Sequence, residues 1–347
     1  VRNADAQQRR GGAGLQEGAS EEFDLTVLVT GAAGFIGAAV SHALLDRGDA
    51  VLGVDAMNDY YRPALKAARL ARLEARDGFA FARLDIADHD ALRAAVAGRG
   101  VGRIVHLAAQ AGVRYSIEAP FAYARSNLDG QLSLLELART LEPAHTVYAS
   151  SSSVYGANTK IPFAEDDVVR DPASFYGATK IAGEHMASAY ARLYGLPLTG
   201  LRFFTVYGEW GRPDMAYWIF TEKVLRGEPI QIFNGGRMGR DFTYVDDIVA
   251  GVLAALDRPA AGAPPHRVYN LGNDRPEELG DLVALVEQAT GKTAEKEYLG
   301  MQKGDVERTW ADISRARAEL GYDPKTPLAE ALPRFVDWYR REGPFEG

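Results

Sequence analysis

Tyr176 and Lys180 stand four residues apart in Tyr176-Gly177-Ala178-Thr179-Lys180, which puts both on one side of a helix. A phenol beside an ammonium ionises below its free pKa of about 10, because the cation stabilises the phenolate. Such a group is a general base for an alcohol whose carbon is losing hydride, a contribution of roughly 100-fold to 10,000-fold. Taken alone, the pair reads as an exposed helix face. The run Ser150-Ser151-Ser152-Ser153-Val154-Tyr155-Gly156 changes that reading, because it begins where a fifth strand ends, at the carboxyl edge where α/β sheets bind ligands. One of those hydroxyls can share the substrate proton with Tyr176; the others serve an ordinary Ser-rich turn.

A second constellation concerns phosphate. Gly31-Ala32-Ala33-Gly34-Phe35-Ile36-Gly37 follows the first strand and opens the first helix. Glycines there let the backbone approach a pyrophosphate, which the helix N-terminus holds through free N–H groups and its dipole. Asp55 closes the second strand, where an acidic side chain accepts hydrogen bonds from ribose hydroxyls and repels a 2′-phosphate, favouring NAD over NADP. Asp85 and Ile86 follow the third strand and are placed to flank adenine. Leu107, Ala108 and Ala109 close the fourth.

These residues require strands that all point one way. Apolar runs at Thr26 to Thr30, Val51 to Val54, Phe79 to Leu84, Arg103 to Leu107, Thr146 to Ser150 and Leu198 to Phe204 read as strands. Helical patterns lie between them, from Phe35 to Arg47 and around Leu92, Leu134 and Ala182. Such alternation predicts an α/β fold, a Rossmann-type doubly wound parallel sheet. Past Phe204 the rhythm shifts to Gly- and Pro-rich loops, short elements and a last helix near Phe335 to Tyr339. We expect a dinucleotide-binding domain over residues 23–205 with a return segment near 243–272, and a smaller C-terminal α/β substrate domain over 206–242 and 273–347.

Composition removes other classes. The 347 residues are 47% hydrophobic with a net charge of −8, and no basic run offers a nucleic-acid surface. No stretch approaches the length of a membrane span. Cysteine is absent, so disulfides, thiolate nucleophiles and zinc–thiolate sites are excluded. The six histidines show no metal-ligand spacing; His106 reads as packing at a strand end. Asp246 and Asp247 read as caps of the following helix rather than metal ligands. Residues 1–22 lack an apolar h-region and read as a disordered tail of a cytoplasmic protein.

From Phe23 to about Tyr339 the chain resembles the extended short-chain dehydrogenase/reductase family, through GAAGFIG, Asp55, the serine run and YGATK. Within it the resemblance is to the UDP-glucuronate 4-epimerases, carried by His106-Leu107-Ala108-Ala109-Gln110-Ala111-Gly112-Val113-Arg114-Tyr115-Ser116, Arg202-Phe203-Phe204-Thr205-Val206-Tyr207-Gly208 and Gly211-Arg212-Pro213-Asp214-Met215-Ala216. The resemblance implies Ser151, Tyr176 and Lys180 as catalytic residues, with Lys180 lowering the Tyr176 pKa and holding the nicotinamide ribose. It extends the NAD contacts to Ala33, Asn58, Gln110, Asn127, Ala149 and Phe203. For the substrate it implies Arg114, Ser151, Ser152, Ser153, Tyr176, Thr205, Arg212, Met215, Phe233, Arg240 and Asp305. Ser152, Ser153, Thr205 and Arg212 would face a uronate carboxylate, Arg240 a UDP pyrophosphate and Phe233 the uracil. Glu209 departs from the Pro of many relatives, and Lys303 is a further candidate for phosphate.

The implied chemistry is reversible inversion at C4 of UDP-glucuronate to UDP-galacturonate through a 4-keto sugar, with NAD recycled and a homodimer built on the helices before strand five and around Tyr176. Related decarboxylases and dehydratases carry Glu or Asp-Glu where Ser152 and Ser153 stand here. UDP-glucose 4-epimerase is the nearer alternative. A non-catalytic NAD sensor of the same fold usually lacks the Tyr or the Lys.

Overall fold

The computed structural model describes residues 26–301, 306–343 and 345; the tail reading, Lys303 and Asp305 lie outside them. In chain order, β1 (Thr26–Thr30), α1 (Phe35–Asp46), β2 (Val51–Asp55), α2 (Pro63–Glu74), β3 (Phe79–Arg83), α3 (His89–Val96) and β4 (Val101–His106) form the first half. Next come α4 (Tyr115–Glu118), α5 (Pro120–Ala124), a π-helical turn Arg125–Asp129, α6 (Gly130–Leu141), β5 (His145–Ser151), α7 (Phe175–Tyr194) and β6 (Leu198–Phe203). The remainder comprises β7 (Thr205–Tyr207), α8 (Ala216–Arg226), β8 (Ile230–Phe233), β9 (Gly239–Tyr244), α9 (Val245–Leu256) and β10 (His266–Leu271). It continues with β11 (Pro276–Glu278), α10 (Leu279–Thr290), β12 (Lys296–Leu299), α11 (Ser314–Leu320) and α12 (Leu328–Glu342).

Seven strands make one parallel sheet in the order β10-β6-β5-β4-β1-β2-β3. Helices cover both faces, so the strands read as unbroken apolar runs; Val27, Leu28, Val29, Val51, Leu52 and Val54 are all buried. Between β1 and β4 the winding reverses, which opens a crevice at the carboxyl ends of the strands. Two small sheets, β11-β9-β7 and β12-β8, stand beyond that edge, while β10 returns to the main sheet.

The sequence pattern does not anticipate α2. Its inward face carries Lys66 and Arg69 between Leu65 and Leu73, all buried, so the apolar period is broken by two cations. Arg69 is well satisfied there: its guanidinium donates to the carbonyls of Ala33, Trp210 and Gly211 and to the Tyr61 hydroxyl. One capping expectation is corrected. Asp247 sits in the first turn of α9 without capping it and instead accepts the backbone N–H groups of Lys325 and Thr326, at 3.2 and 3.0 Å, just before α12.

His106 packs at the end of β4, with Nδ1 2.6 Å from Thr30 Oγ1. Burial, with the charge of Lys180, pushes its pKa from 6.5 down to about 3. The folded chain thus refuses a proton that the unfolded chain accepts below about 6.5, so stability falls as pH drops from there towards 3. Asp241, raised by burial to about 6, works in the opposite sense below that pH. Against His106→Asn, the wild type should therefore lose about 1.4 kcal/mol more per pH unit between about pH 6 and pH 4, read from urea midpoints. Parallel curves for the two proteins would contradict this.

Candidate active site

The crevice is one continuous cavity of about 820 Å³ that runs from the Gly31 loop to Phe233 and Arg240. At one end Gly31 adopts φ +74°, and a Cβ on it would lie 2.8 Å from the Ala108 nitrogen. A Cβ at Gly37 would lie 2.0 Å from the Gly31 carbonyl oxygen. Glycine therefore sets how closely the loop and α1 approach. The N-terminus of α1 has no side-chain cap and no acidic residue in its first turn, leaving N–H groups for an anion. Asp55 accepts N–H groups from Ala33 and Met57 at 3.1 and 2.8 Å, one on each oxygen, and keeps its remaining lone pairs for the cavity it lines. These features fit a dinucleotide with its pyrophosphate on α1 and a ribose at Asp55.

Gly31, Gly34, Phe35, Ile36, Gly37, Asp55, Asn58, Asp85, Ile86, Leu107, Ala108, Ala109, Gln110, Ala149, Lys180 and Phe203 all line this cavity. Two expected contacts act differently. Ala33 is buried and orients Asp55 through its N–H. Asn127, in the π-helical turn, spends its amide on both backbone groups of Gln110 and on Thr179 Oγ1. It ties the strand-four loop to α7, the helix that carries Tyr176.

At the catalytic centre Ser174 caps α7 by accepting the Gly177 N–H at 3.0 Å, which fixes the first turn and so Tyr176. Ser151, at the end of β5, stands beside Tyr176, and its hydroxyl accepts the Ser153 N–H at 3.2 Å. Burial raises the phenol above 10, while the nearby Ser151 hydroxyl and the positive charge of Arg212 pull it back. The reading of the sequence assigns the lowering of this pKa to Lys180. Lys180 donates to the Ala149 carbonyl at 3.0 Å and is itself pushed down to about 8 by burial, against the charge of Glu184. The neighbour Ser150 is committed to Glu184 at 2.5 Å, so the four serines divide between structure and site.

Ser152, Ser153, Thr205, Arg212 and Met215 line the cavity next to Tyr176. Farther along stand Arg114, Phe233 and Arg240, with the Arg114 guanidinium 5.1 Å from the Phe233 ring centre. Sequence reasoning missed Tyr60, Lys66 and Asp214, which also line the cavity. Lys66 donates to the carbonyl and side-chain oxygens of Asn58. Asp214 lay in view inside the Gly211 to Ala216 run, but its partner Tyr60 belongs to a distant loop. Among the described residues no cluster of His, Asp and Glu could hold a metal ion. Nor is any described helix long and apolar enough to cross a membrane.

Residues 27–272 match the model of the NAD dependent epimerase/dehydratase family. The chain belongs to that family. It is 51% identical over 329 residues to UDP-glucuronate 4-epimerase 4 of Arabidopsis thaliana, covering 91% of this chain and 75% of that one. Among solved structures it resembles UDP-glucuronic acid 4-epimerase of Bacillus cereus in complex with UDP-glucuronic acid and NAD, with 35% identity and a TM-score of 0.86 over 91% of this chain and 99% of that one. UDP-glucose 4-epimerase of Thermotoga maritima with UDP-glucose is similar at 33% identity and a TM-score of 0.83, with the same coverage.

The cofactor named in the family's description is the one the glycine loop and Asp55 fit. Replacing Gly37 by Val should separate α1 from the Gly31 loop at an overpacking cost of about 1–3 kcal/mol. If that strain falls on the bound state, NAD affinity weakens about 5-fold to 150-fold, measurable by titrating the purified protein. Unchanged NAD affinity would mean that the loop does not carry the pyrophosphate.

Proposed function

We propose that this chain inverts C4 of UDP-glucuronate to give UDP-galacturonate, and the reverse, through a 4-keto sugar with NAD regenerated in each cycle. The observation that carries the reading is the placement of Tyr176, Ser151 and the cation Arg212 together on a cavity whose Gly31 end fits a dinucleotide.

Bound NAD supplies a hydride acceptor at C4 and later the donor. The chain manages the proton: Ser151 holds the C4 oxygen, and Tyr176 as phenolate takes the hydroxyl proton, returning it after the keto sugar has turned its other face. Lys180, anchored by one N–H on Ala149, keeps two donors for the cofactor end. A 4-keto uronate is a β-keto acid, prone to lose carbon dioxide. Hydrogen bonds to its carboxylate from Ser152, Ser153, Thr205 and Arg212 oppose that loss, because they stabilise the charge that decarboxylation removes. No carboxylate replaces Ser152 or Ser153 to assist chemistry at C5.

One observation favours a second reading, a neutral-sugar 4-epimerase: Arg212 is already paired, with Asp214. The deciding experiment is incubation of the purified protein with UDP-glucuronate, with and without added NAD, and NMR of the products. A mixture of UDP-glucuronate and UDP-galacturonate without carbon dioxide or net NADH supports the uronate epimerase. Interconversion of UDP-glucose and UDP-galactose alone sinks it.

We also propose a homodimer. Large apolar side chains stand exposed on helices α4, α5 and α7, with Phe121 88%, Leu193 69% and Ile117 59% accessible, and a second copy on these helices would cover them. Sedimentation at the mass of a single chain would refute this.

A further inference from the structure

Arg212 lines the cavity but does not stand free in it. Its Nε and Nη2 donate to Asp214 Oδ1 and Oδ2 at 3.0 and 2.5 Å, a two-pronged pairing that fixes the guanidinium plane. Asp214 Oδ2 also accepts the Tyr60 hydroxyl at 3.0 Å, and the Tyr60 ring centre lies 6.0 Å from the guanidinium carbon. Gly112 backs the group: a Cβ there would lie 2.7 Å from Tyr60 Oη and 3.4 Å from Arg212 Nη2. Loops that follow β2, β4 and β7 thus converge on one ion pair. Burial works to raise the Asp214 carboxyl, yet Arg212 and Tyr60 more than offset it and hold it below its ordinary value. The pair is therefore ionised throughout the neutral range.

We propose that Asp214, steadied by Tyr60, competes with the substrate carboxylate for Arg212 and so loosens the hold on the sugar enough for the 4-keto ring to turn over. This rests on the uronate reading above. The carboxyl carbon is bonded to C5, next to C4, so a sugar whose C4 hydroxyl meets Tyr176 brings its carboxylate to the cation that acts on that phenol. A guanidinium without a carboxylate of its own would meet the substrate carboxylate with its full charge. Epimerisation needs something weaker, because hydride leaves one face and returns to the other, and a carboxylate locked in place would stop the ring from rotating between the two transfers. With Asp214 on the Nε/Nη2 side, a substrate carboxylate is left the outer Nη1/Nη2 edge of a cation whose charge is already offset, a contact that orients the carboxylate without anchoring it. Binding energy spent on one stage of the cycle lowers KM at the expense of kcat. Asp214 is in these terms a positioning residue that acts through Arg212.

The test compares wild type, Asp214→Asn and Tyr60→Phe as NAD-loaded proteins. For Asp214→Asn we expect KM for UDP-glucuronate and kcat each to fall about tenfold, with reduced-nicotinamide fluorescence accumulating in the steady state as the keto stage lengthens. In a Tyr176→Phe background, which does not turn over, Asp214→Asn should tighten UDP-glucuronate binding about tenfold and leave UDP-glucose binding unchanged. Tyr60→Phe should move each quantity the same way by less, and it carries the test if Asp214→Asn fails to fold. A raised KM with unchanged kcat would overturn the proposal and make Asp214 a simple support of Arg212. So would equal effects on the two sugars. Wild type that leaves UDP-glucuronate untouched refutes the uronate reading itself, a result separate from either.

Discussion

Tyr176→Phe retains the fold and the binding of NAD and UDP-glucuronate but loses at least about 100-fold in turnover, and up to about 10,000-fold. The ring packs edge-on against Tyr123 with centres 5.9 Å apart, and a Phe keeps that contact, so the change is confined to the hydroxyl. Without it the C4 proton has no acceptor, because Ser151 is a weak base and Lys180 is committed to the Ala149 carbonyl. The wild-type phenol is raised by burial, so its basic form is the minority at neutral pH and kcat/KM should climb as pH rises through the neutral range. Product NMR over several hours measures the loss. Turnover within about tenfold of wild type would assign the proton to another group.

Glu184→Leu should cost the protein about 3–5 kcal/mol of stability. Glu184 and Arg202 are 8% and 4% exposed in their side chains and pair through two bonds of 2.8 Å. Ser150 donates to the same carboxylate, and Arg202 continues to the Tyr155 hydroxyl at 3.0 Å. The pair thus joins α7 to β5 and β6 directly beneath the catalytic residues. Leucine at 184 leaves a guanidinium buried without its counter-charge. Adding Arg202→Leu should restore part of the loss, since the desolvated charge is then gone. The same change removes the carboxylate that supports the protonated form of Lys180, so activity falls as well. Urea unfolding of the two single variants and the double variant measures this; a loss below about 1 kcal/mol would place the pair with exposed ones.

Much of this architecture is legible in the chain. The first six strands lie within about two residues of those read from the apolar runs, because buried parallel strands announce themselves as unbroken apolar segments. Local geometry accounts for the rest of what could be read. The turn from Gly31 to Gly37 is closed by its own backbone, and Tyr176 and Lys180 share a helix face through their spacing alone. Inside Gly211 to Ala216 the pairing of Arg212 with Asp214 spans only two residues, yet nothing in the motif says that the two side chains meet.

What the sequence determined by itself is therefore whatever a few consecutive residues decide: the strand–glycine–helix opening, the Tyr and Lys on α7 and the serine run at the end of β5. Only the tertiary structure decided the charges around them. It buried Lys66 and Arg69 on α2, turned Asn127 to brace Gln110, and brought the charge of Arg212 to bear on the Tyr176 phenol. Tyr60 and Asp214 lie 154 residues apart and touch only because the sheet brings both loops to the same edge. A charge acts across space on whatever the fold sets beside it, and more strongly in a low-dielectric crevice than in water.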